Sequence, residues 1–467
     1  MLFNSFEFVV FLLVVFLLYW HVFNKNLKVQ NALLLFSSYF FYACWNWKFL
    51  FLLVLSTLID YVFGLLVHNS VKYRKLFYWL SIVNNLAVLG FFKYYNFFAV
   101  NIQEAFDAIG IHFSPWLLSI VAPVGISFYT FHGMSYVFDI YKKRIEPTRD
   151  FVAYADFVCF FPLLVAGPIE RGSNLLPQIK VKRTFNYEQA LDGFRLILWG
   201  FFLKVVIADT LAVTVNEIFG NYKSYPGSTL ILGALYFSVQ IYGDFCGYTS
   251  IAIGVAKLFG FELLSNFRYP YFASNLSDFW RRWHISLSSW FRDYIYIPLG
   301  GARVSRIKVI RNTFIIFLIS GFWHGANWTF IMWGVLHAVG LTYEIITKQW
   351  RGQLFERMPK IMGSIIGTVL TFTFVCFAYI FFRAPNIHVA LDYIRGMGNG
   401  VTQSTGSRLG LIYVAILFLL DWFQRESERR VLSFGSAPVR WALYVIMGMS
   451  VLIYSVSNPS SFIYFQF

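Results

Sequence analysis

Ten apolar runs partition this chain, at 5–23, 31–45, 49–67, 76–98, 115–138, 189–212, 229–256, 361–383, 409–423 and 439–457. Most approach the ~20 residues that an α-helix needs to cross about 30 Å of hydrocarbon at 1.5 Å per residue. Inside a bilayer each backbone amide must find its partner within the protein, and for runs of this length the helix is the form that does so. The expected fold class is therefore an all-α polytopic integral membrane protein. Composition agrees: 58% of the residues are hydrophobic, 13% are charged and the mean hydropathy is +0.60. Soluble domains carry about a quarter charged residues. The first run has neither a basic start nor a small-residue cleavage site, so it reads as a retained span and not a signal peptide.

Two further apolar stretches, 151–168 and 312–346, have basic residues on both sides: YKKRIEPTR and KVKR around the first, RVSRIKVIR and TKQWRGQLFERMPK around the second. Cytoplasmic loops carry the Lys/Arg excess, so each stretch should enter from the cytoplasm and return there as a re-entrant hairpin. With that assignment, most of the 38 Lys and Arg fall in cytoplasmic segments at 24–30, 68–75, 139–150, 170–188, 257–311, 347–360 and 424–440. Both termini then lie on the outer, periplasmic side. The formal charge of +15 becomes an orientation signal, and nucleic acid is not an expected partner. The domain expected is one membrane-embedded body over 1–467, with a cytoplasmic or interfacial segment at 257–311 and an outer tail at 458–467. Cys44, Cys159, Cys246 and Cys376 lie in apolar runs without CxxC spacing; they read as core residues, and no metal site or disulfide is expected.

Within 257–311, Trp280, Trp283, Leu287, Trp290 and Tyr294 recur at spacings of three and four, while Arg281, His284, Ser288 and Arg292 form a polar stripe. The pattern predicts one amphipathic helix in the interface, with its aromatic rings at headgroup depth. Two roles fit it: a lipid-anchored structural helix, or an electropositive mouth in which Arg281 and Arg282 receive a phosphate-bearing donor and His284 stands at the entrance.

Ionisable residues inside spans are functional suspects: Asp60, Lys93, Arg195, Lys204, Asp244, His324, His337 and Glu344. Most have internal partners within reach; Arg195 and Lys204 share a segment with Asp192 and Asp209, and His337 and Glu344 lie on one helical face. His324 differs in its setting, GFWHGANW, Gly321 to Trp328. Glycines on either side permit a break or a close approach, at the depth where a hairpin turns. Irregular backbone there is tolerated when it is buried in protein or lines a cavity. A neutral imidazole in such a place can act as a general base towards a hydroxyl, and Asn327 is near enough in sequence to help.

Six ordered segments carry a resemblance: MLFNSFEF at the start, VAPVGISFYTFHGMSYVFDIYK at 121–142, FFPLLVAGPIER at 160–171, YGDFCGYTSIAIGVAKLFGF at 242–261, SDFWRRWHISLSSWFRDYIYIPLGG at 277–301 and SGFWHGANWTFIMWGVLHA at 320–338. Over nearly its full length the chain resembles the membrane-bound O-acyltransferases. Within them it is similar to the bacterial branch of alginate and peptidoglycan O-acetyltransferases and the teichoic-acid D-alanylation membrane protein. The resemblance implies about ten transmembrane helices and two re-entrant hairpins around a central tunnel. It implies that His324, in the W-H-G element, is the catalytic histidine and that His284, in W-H-x-S-L, is the family's second histidine. It also implies a cytoplasmic opening for an acyl donor, acetyl-CoA in the acetylating branch, and no bound cofactor. Gly243–Cys246 departs from the family pattern, so nothing is carried over onto 240–250.

Activated acyl groups are made in the cytoplasm, whereas envelope polymers lie outside; a tunnel with His324 near its middle joins the two without a leak. The tail FIYFQF reads from composition as an aromatic belt. By resemblance to the small partner protein of the D-alanylation system, Tyr464 instead carries the acyl group and hands it to a periplasmic esterase-like acetyltransferase. The expected activity is thus O-acetylation of an exported or cell-envelope polysaccharide from the bacterial inner membrane. The competing readings are a non-enzymatic polysaccharide exporter or flippase subunit, and a D-alanyl or lipid acyltransferase.

Overall fold

Asn46 interrupts the longest helix, Leu27–Asn69, with an extended backbone (φ −160°, ψ 108°), and its side chain accepts a hydrogen bond from the Lys48 amide at 3.0 Å. An asparagine that caps the following turn is a helix start, which explains why two separate apolar runs were expected here. A computed structural model describes residues 3–119, 121–400, 408–425, 432, 435–455 and 462–463, without the side chains of 165 and 166. Among the described residues there are helices and no strand. Seven helices of at least 18 residues are apolar enough to cross a membrane, and three shorter apolar helices cover Phe6–Val22, Phe151–Leu164 and Gly410–Gln424. The protein is an all-α polytopic membrane protein, as its sequence predicts.

One predicted crossing begins later than expected. Residues 111–119 are not helical, and the helix of the 115–138 run is Ile126–Tyr141. Pro115 and Pro123 are the cause, because a proline drives the residue before it out of the helical region. Gly125 then starts the helix in a left-handed conformation (φ 75°), pressed so closely on the Leu164 carbonyl that a Cβ would not fit.

The chain divides into two units, Met1–Phe194 with Ala252–Leu264, and Arg195–Ile251 with Ser265–Phe467. In the first, Leu27–Asn69 packs on Arg74–Leu89, Ile126–Tyr141 and Phe151–Cys159. Its polar interior is paired: Asp60 accepts from Ser81 at 3.0 Å and Asn85 at 2.7 Å. The 151–168 stretch is two short helices, Phe151–Cys159 and Phe161–Ala166. Nine residues rise about 14 Å, less than half a hydrocarbon core.

In the second unit, Lys204 lies in a π-helical turn, Phe202–Ala208, fully buried between Asp209 at 2.8 Å and Asp244 at 2.6 Å. The 312–346 stretch is a helical hairpin, with arms Arg306–His324 and Trp328–Ile346. The arms meet backbone to backbone, since a Cβ on Gly321 would strike the Phe330 carbonyl and one on Gly334 the Phe317 carbonyl.

Candidate functional site

His324 is the last residue of the first hairpin arm. Its ring is 5% exposed and is walled by Trp323, Trp333 and Phe382, at centroid distances of 4.8, 5.1 and 5.1 Å. The turn beyond it is fastened by Asn327. The Asn327 carbonyl oxygen accepts from the Thr329 amide at 3.0 Å and starts the second arm, while its side-chain nitrogen donates to the Pro385 carbonyl at 2.8 Å. Both ends of that amide are therefore engaged in holding the turn.

His284 arrives from a different element, and here the structure corrects the sequence reading. The single amphipathic helix is two, Leu276–Arg282 and Ile285–Phe291, separated by Trp283 and by a left-handed His284 (φ 43°, ψ 53°). That conformation is uncommon outside glycine, though histidine is one of the residues that tolerates it. It redirects the chain, so the aromatic residues expected at headgroup depth face the protein interior. Trp283, Leu287, Trp290 and Tyr294 are all at most 8% exposed. His284 itself is 1% exposed and does not stand at an entrance.

Asn266 sets the state of that imidazole. Its Oδ1 accepts from the Ser286 hydroxyl at 2.6 Å and the Ser286 amide at 3.3 Å, and faces His284 Nδ1 at 3.4 Å. An oxygen already serving as acceptor requires that Nδ1 carry the proton. Nε2 is then the bare nitrogen, and it is buried with no hydrogen-bond partner among the described residues. Burial pushes the His284 pKa down to about 3, so the ring is neutral at physiological pH. Asn266 was quoted within the sequence segment but not singled out; a polar loop residue 18 positions away carries no periodic signal. The two histidines meet through Trp323, whose ring lies 6.1 Å from His284 and 4.8 Å from His324.

A cavity of about 550 Å³ runs along the first hairpin arm, lined there by Val309, Thr313, Ile316, Phe317 and Ser320. These residues share one helical face, and the next position on it is 324. Arg281 and Arg292 also line this cavity. Arg281 is mostly exposed and only loosely paired with Asp278, at 3.7 Å, while Arg292 bonds its neighbour Asp293 at 2.7 Å. Arg282 lies nearer Asp278, at 2.9 Å, and is not among the lining residues. Of the two arginines predicted at a mouth, the structure brings one to the cavity and adds Arg292.

The remaining suspects are internally paired. His337 Nδ1 accepts from the Trp280 indole at 3.3 Å, and Glu344 accepts from the Leu276 and Ser277 amides at 2.7 and 3.1 Å, starting the helix Leu276–Arg282. Arg195 donates to the Tyr444 hydroxyl at 3.0 Å. Tyr464 lies outside the described residues. Just before it, Phe462 and Ile463 are buried, and the Ile463 amide donates to Asp244 at 2.7 Å. The Phe462 ring rests on Tyr248 at 4.4 Å and near Phe245 at 6.0 Å, and Phe245 meets His284 edge-on at 4.7 Å.

A hairpin ending in a buried histidine, beside a second histidine with an open ring nitrogen, equips a polytopic membrane protein for proton transfer within an apolar layer. Residues 72–384, which hold both histidines, match the model of the membrane-bound O-acyltransferase family, and the chain belongs to that family. It is accordingly a membrane-embedded O-acyltransferase.

Among its relatives, it is 34% identical to the probable alginate O-acetylase AlgI of Pseudomonas putida, covering 100% of both chains. It is 38% identical to the peptidoglycan O-acetyltransferase of Helicobacter pylori, over 81% of this chain and 76% of that one. It is 28% identical to the teichoic acid D-alanyltransferase of Bacillus subtilis, over 58% of this chain and 71% of that one.

Proposed function

We propose that this O-acyltransferase takes an acetyl group from cytoplasmic acetyl-CoA and moves it across the inner membrane for O-acetylation of an exported or cell-envelope polysaccharide. The observation that carries this reading is the cavity along the first hairpin arm, whose lining stops at Ser320, one turn before His324 on the same face. A thioester lying in that cavity with its phosphates towards Arg281 and Arg292 would bring its carbonyl to the histidine. Arg282, held by Asp278, adds positive charge nearby. The alginate and peptidoglycan acetylating relatives support a polysaccharide as the final acceptor.

In the reaction, an acceptor hydroxyl oxygen attacks the thioester carbonyl, a C–O bond forms and the C–S bond breaks. His324 takes the hydroxyl proton and returns it to the departing thiolate. The neutral His284, with Nε2 bare, accepts a hydrogen bond that orients one of the reacting groups. The acceptor is Tyr464, whose acetyl ester passes to a periplasmic esterase-like acetyltransferase. Support for this comes from the seat of Phe462 and Ile463, two ring contacts from His284. Both termini are then periplasmic, as the charge pattern of the loops expects.

The test is acetyl-CoA cleavage and acetyl transfer by purified protein. Loss of both in His324→Ala, and loss of polymer acetylation alone in Tyr464→Phe, is the expected result. Equal cleavage by wild type and His324→Ala would overturn the catalytic assignment.

A further inference from the structure

The first unit holds a second cavity, of about 480 Å³, lined by Phe16, Trp20, Lys25, Lys182, Arg183 and Phe185 among others. We propose that it binds the phosphate headgroup of an anionic phospholipid of the inner leaflet.

Arg183 is the first reason. It is 6% exposed, and its guanidinium donates to four neutral acceptors: the carbonyls of Gln178 and Ile179 at 3.2 and 3.0 Å, Gln30 at 3.2 Å and Asn31 at 2.5 Å. It also lies over the rings of Phe261 and Tyr19, at 4.9 and 5.6 Å. These contacts fix the group but do not neutralise it, and Nε has no acceptor among the described residues. The buried Asp156 is felt only beyond ion-pair distance. A buried cation without a counter-charge is costly, and an anion entering the cavity supplies one.

Lys25 and Lys182 are exposed at the same cavity and form no ion pair among the described residues. The aromatic wall is preformed: Phe185 meets Trp20 and Phe16 edge-on at 5.5 and 6.2 Å, and the Trp20 indole is fixed by the Leu258 carbonyl at 2.9 Å.

The second reason selects a lipid over a soluble phosphate. The helix Phe6–Leu17, which leads to the cavity, exposes Phe6, Val10, Leu13 and Leu17 at 45–79% along one face. Acyl chains lie along such a stripe, whereas a soluble phosphate compound has no use for it. The loops that supply Lys25 and Lys182 both fall on the cytoplasmic side in the charge pattern. Anionic lipids are concentrated in that leaflet, and basic pockets between membrane helices bind their headgroups.

The experiment is native mass spectrometry of the delipidated full chain titrated with phosphatidylglycerol or phosphatidylcholine. Phosphatidylglycerol should bind about tenfold more tightly, and K25Q/K182Q should lose about that preference while K25R/K182R keeps it. Acetyl-CoA cleavage in detergent should be unchanged in both variants. Equal binding of the two lipids by wild type, or full phosphatidylglycerol affinity in K25Q/K182Q, would overturn the site. Displacement of bound phosphatidylglycerol by coenzyme A or inorganic phosphate would assign the cavity to a soluble phosphate and overturn it equally.

Discussion

His132 in the first unit and His284 in the second are equally buried, at 1% exposure each, and both lie against aromatic rings. They differ at their nitrogens. His132 Nδ1 faces the Val158 carbonyl at 3.4 Å, and its Nε2 accepts from the Glu170 amide at 3.1 Å, so both ends of the ring hold backbone together. His284 spends one nitrogen on Asn266 and leaves the other open. Burial and aromatic company therefore do not mark a working histidine. A buried ring nitrogen left without a protein partner is the better sign, because an unmet acceptor is expensive unless a ligand meets it.

Substitutions test that contrast. The largest effect is expected at His324 itself: His324→Ala should lower acetyl transfer on the order of a thousandfold, with little change in melting temperature. His284→Asn keeps a residue that tolerates the left-handed backbone while removing Nε2; transfer should fall about a hundredfold in a protein that remains folded. If His284→Asn were fully active, the open nitrogen would have no chemical meaning. His132→Ala should do the reverse. It frees a buried carbonyl and a buried amide, so it should cost about 3 kcal/mol in a denaturation series and leave the rate per folded enzyme intact.

Asn266→Asp sharpens the comparison by pH. In the wild type His284 titrates near 3, so it adds no acid limb to the rate near neutrality. A carboxylate at Nδ1 favours the imidazolium and should introduce such a limb, with activity falling as pH is lowered. The smallest effect concerns Glu170, whose carboxyl is raised by burial from 4.5 to about 7. Folded protein then binds more protons than unfolded between those values, so this group's contribution declines as pH rises through the window. Glu170→Gln should flatten that part of the stability profile, as measured by melting temperature against pH.

The hairpin was legible in the sequence because its arms are apolar, its flanks are basic and the break at 325–327 falls between glycine and the capping Asn327. The divided helix at Asn46 was legible for a similar reason. The break at His284 was not, since the three-and-four spacing of aromatic residues continues across it unchanged. Only a left-handed backbone turns that stripe inward, and histidine gives no warning of it. Asn266 was hidden for another reason: it acts through tertiary contact, from a loop without periodicity. Arg281 and Arg282 looked equivalent as neighbours, but Asp278 sits four residues from one and three from the other and holds the first of these more closely.

The contacts of Gly321 with Phe330 and of Gly334 with Phe317 bear on how the protein meets bilayers of different thickness. Backbones packed against one another have no side chain to rearrange, and close-packed interiors hardly compress. A thinner or thicker lipid layer is accommodated by tilt of whole helices at modest cost. The two hairpin arms must then tilt as one piece, and the distances from His324 to Trp323 and Trp333 travel with them unaltered. The geometry at the tip is thus insulated from the composition of the surrounding membrane.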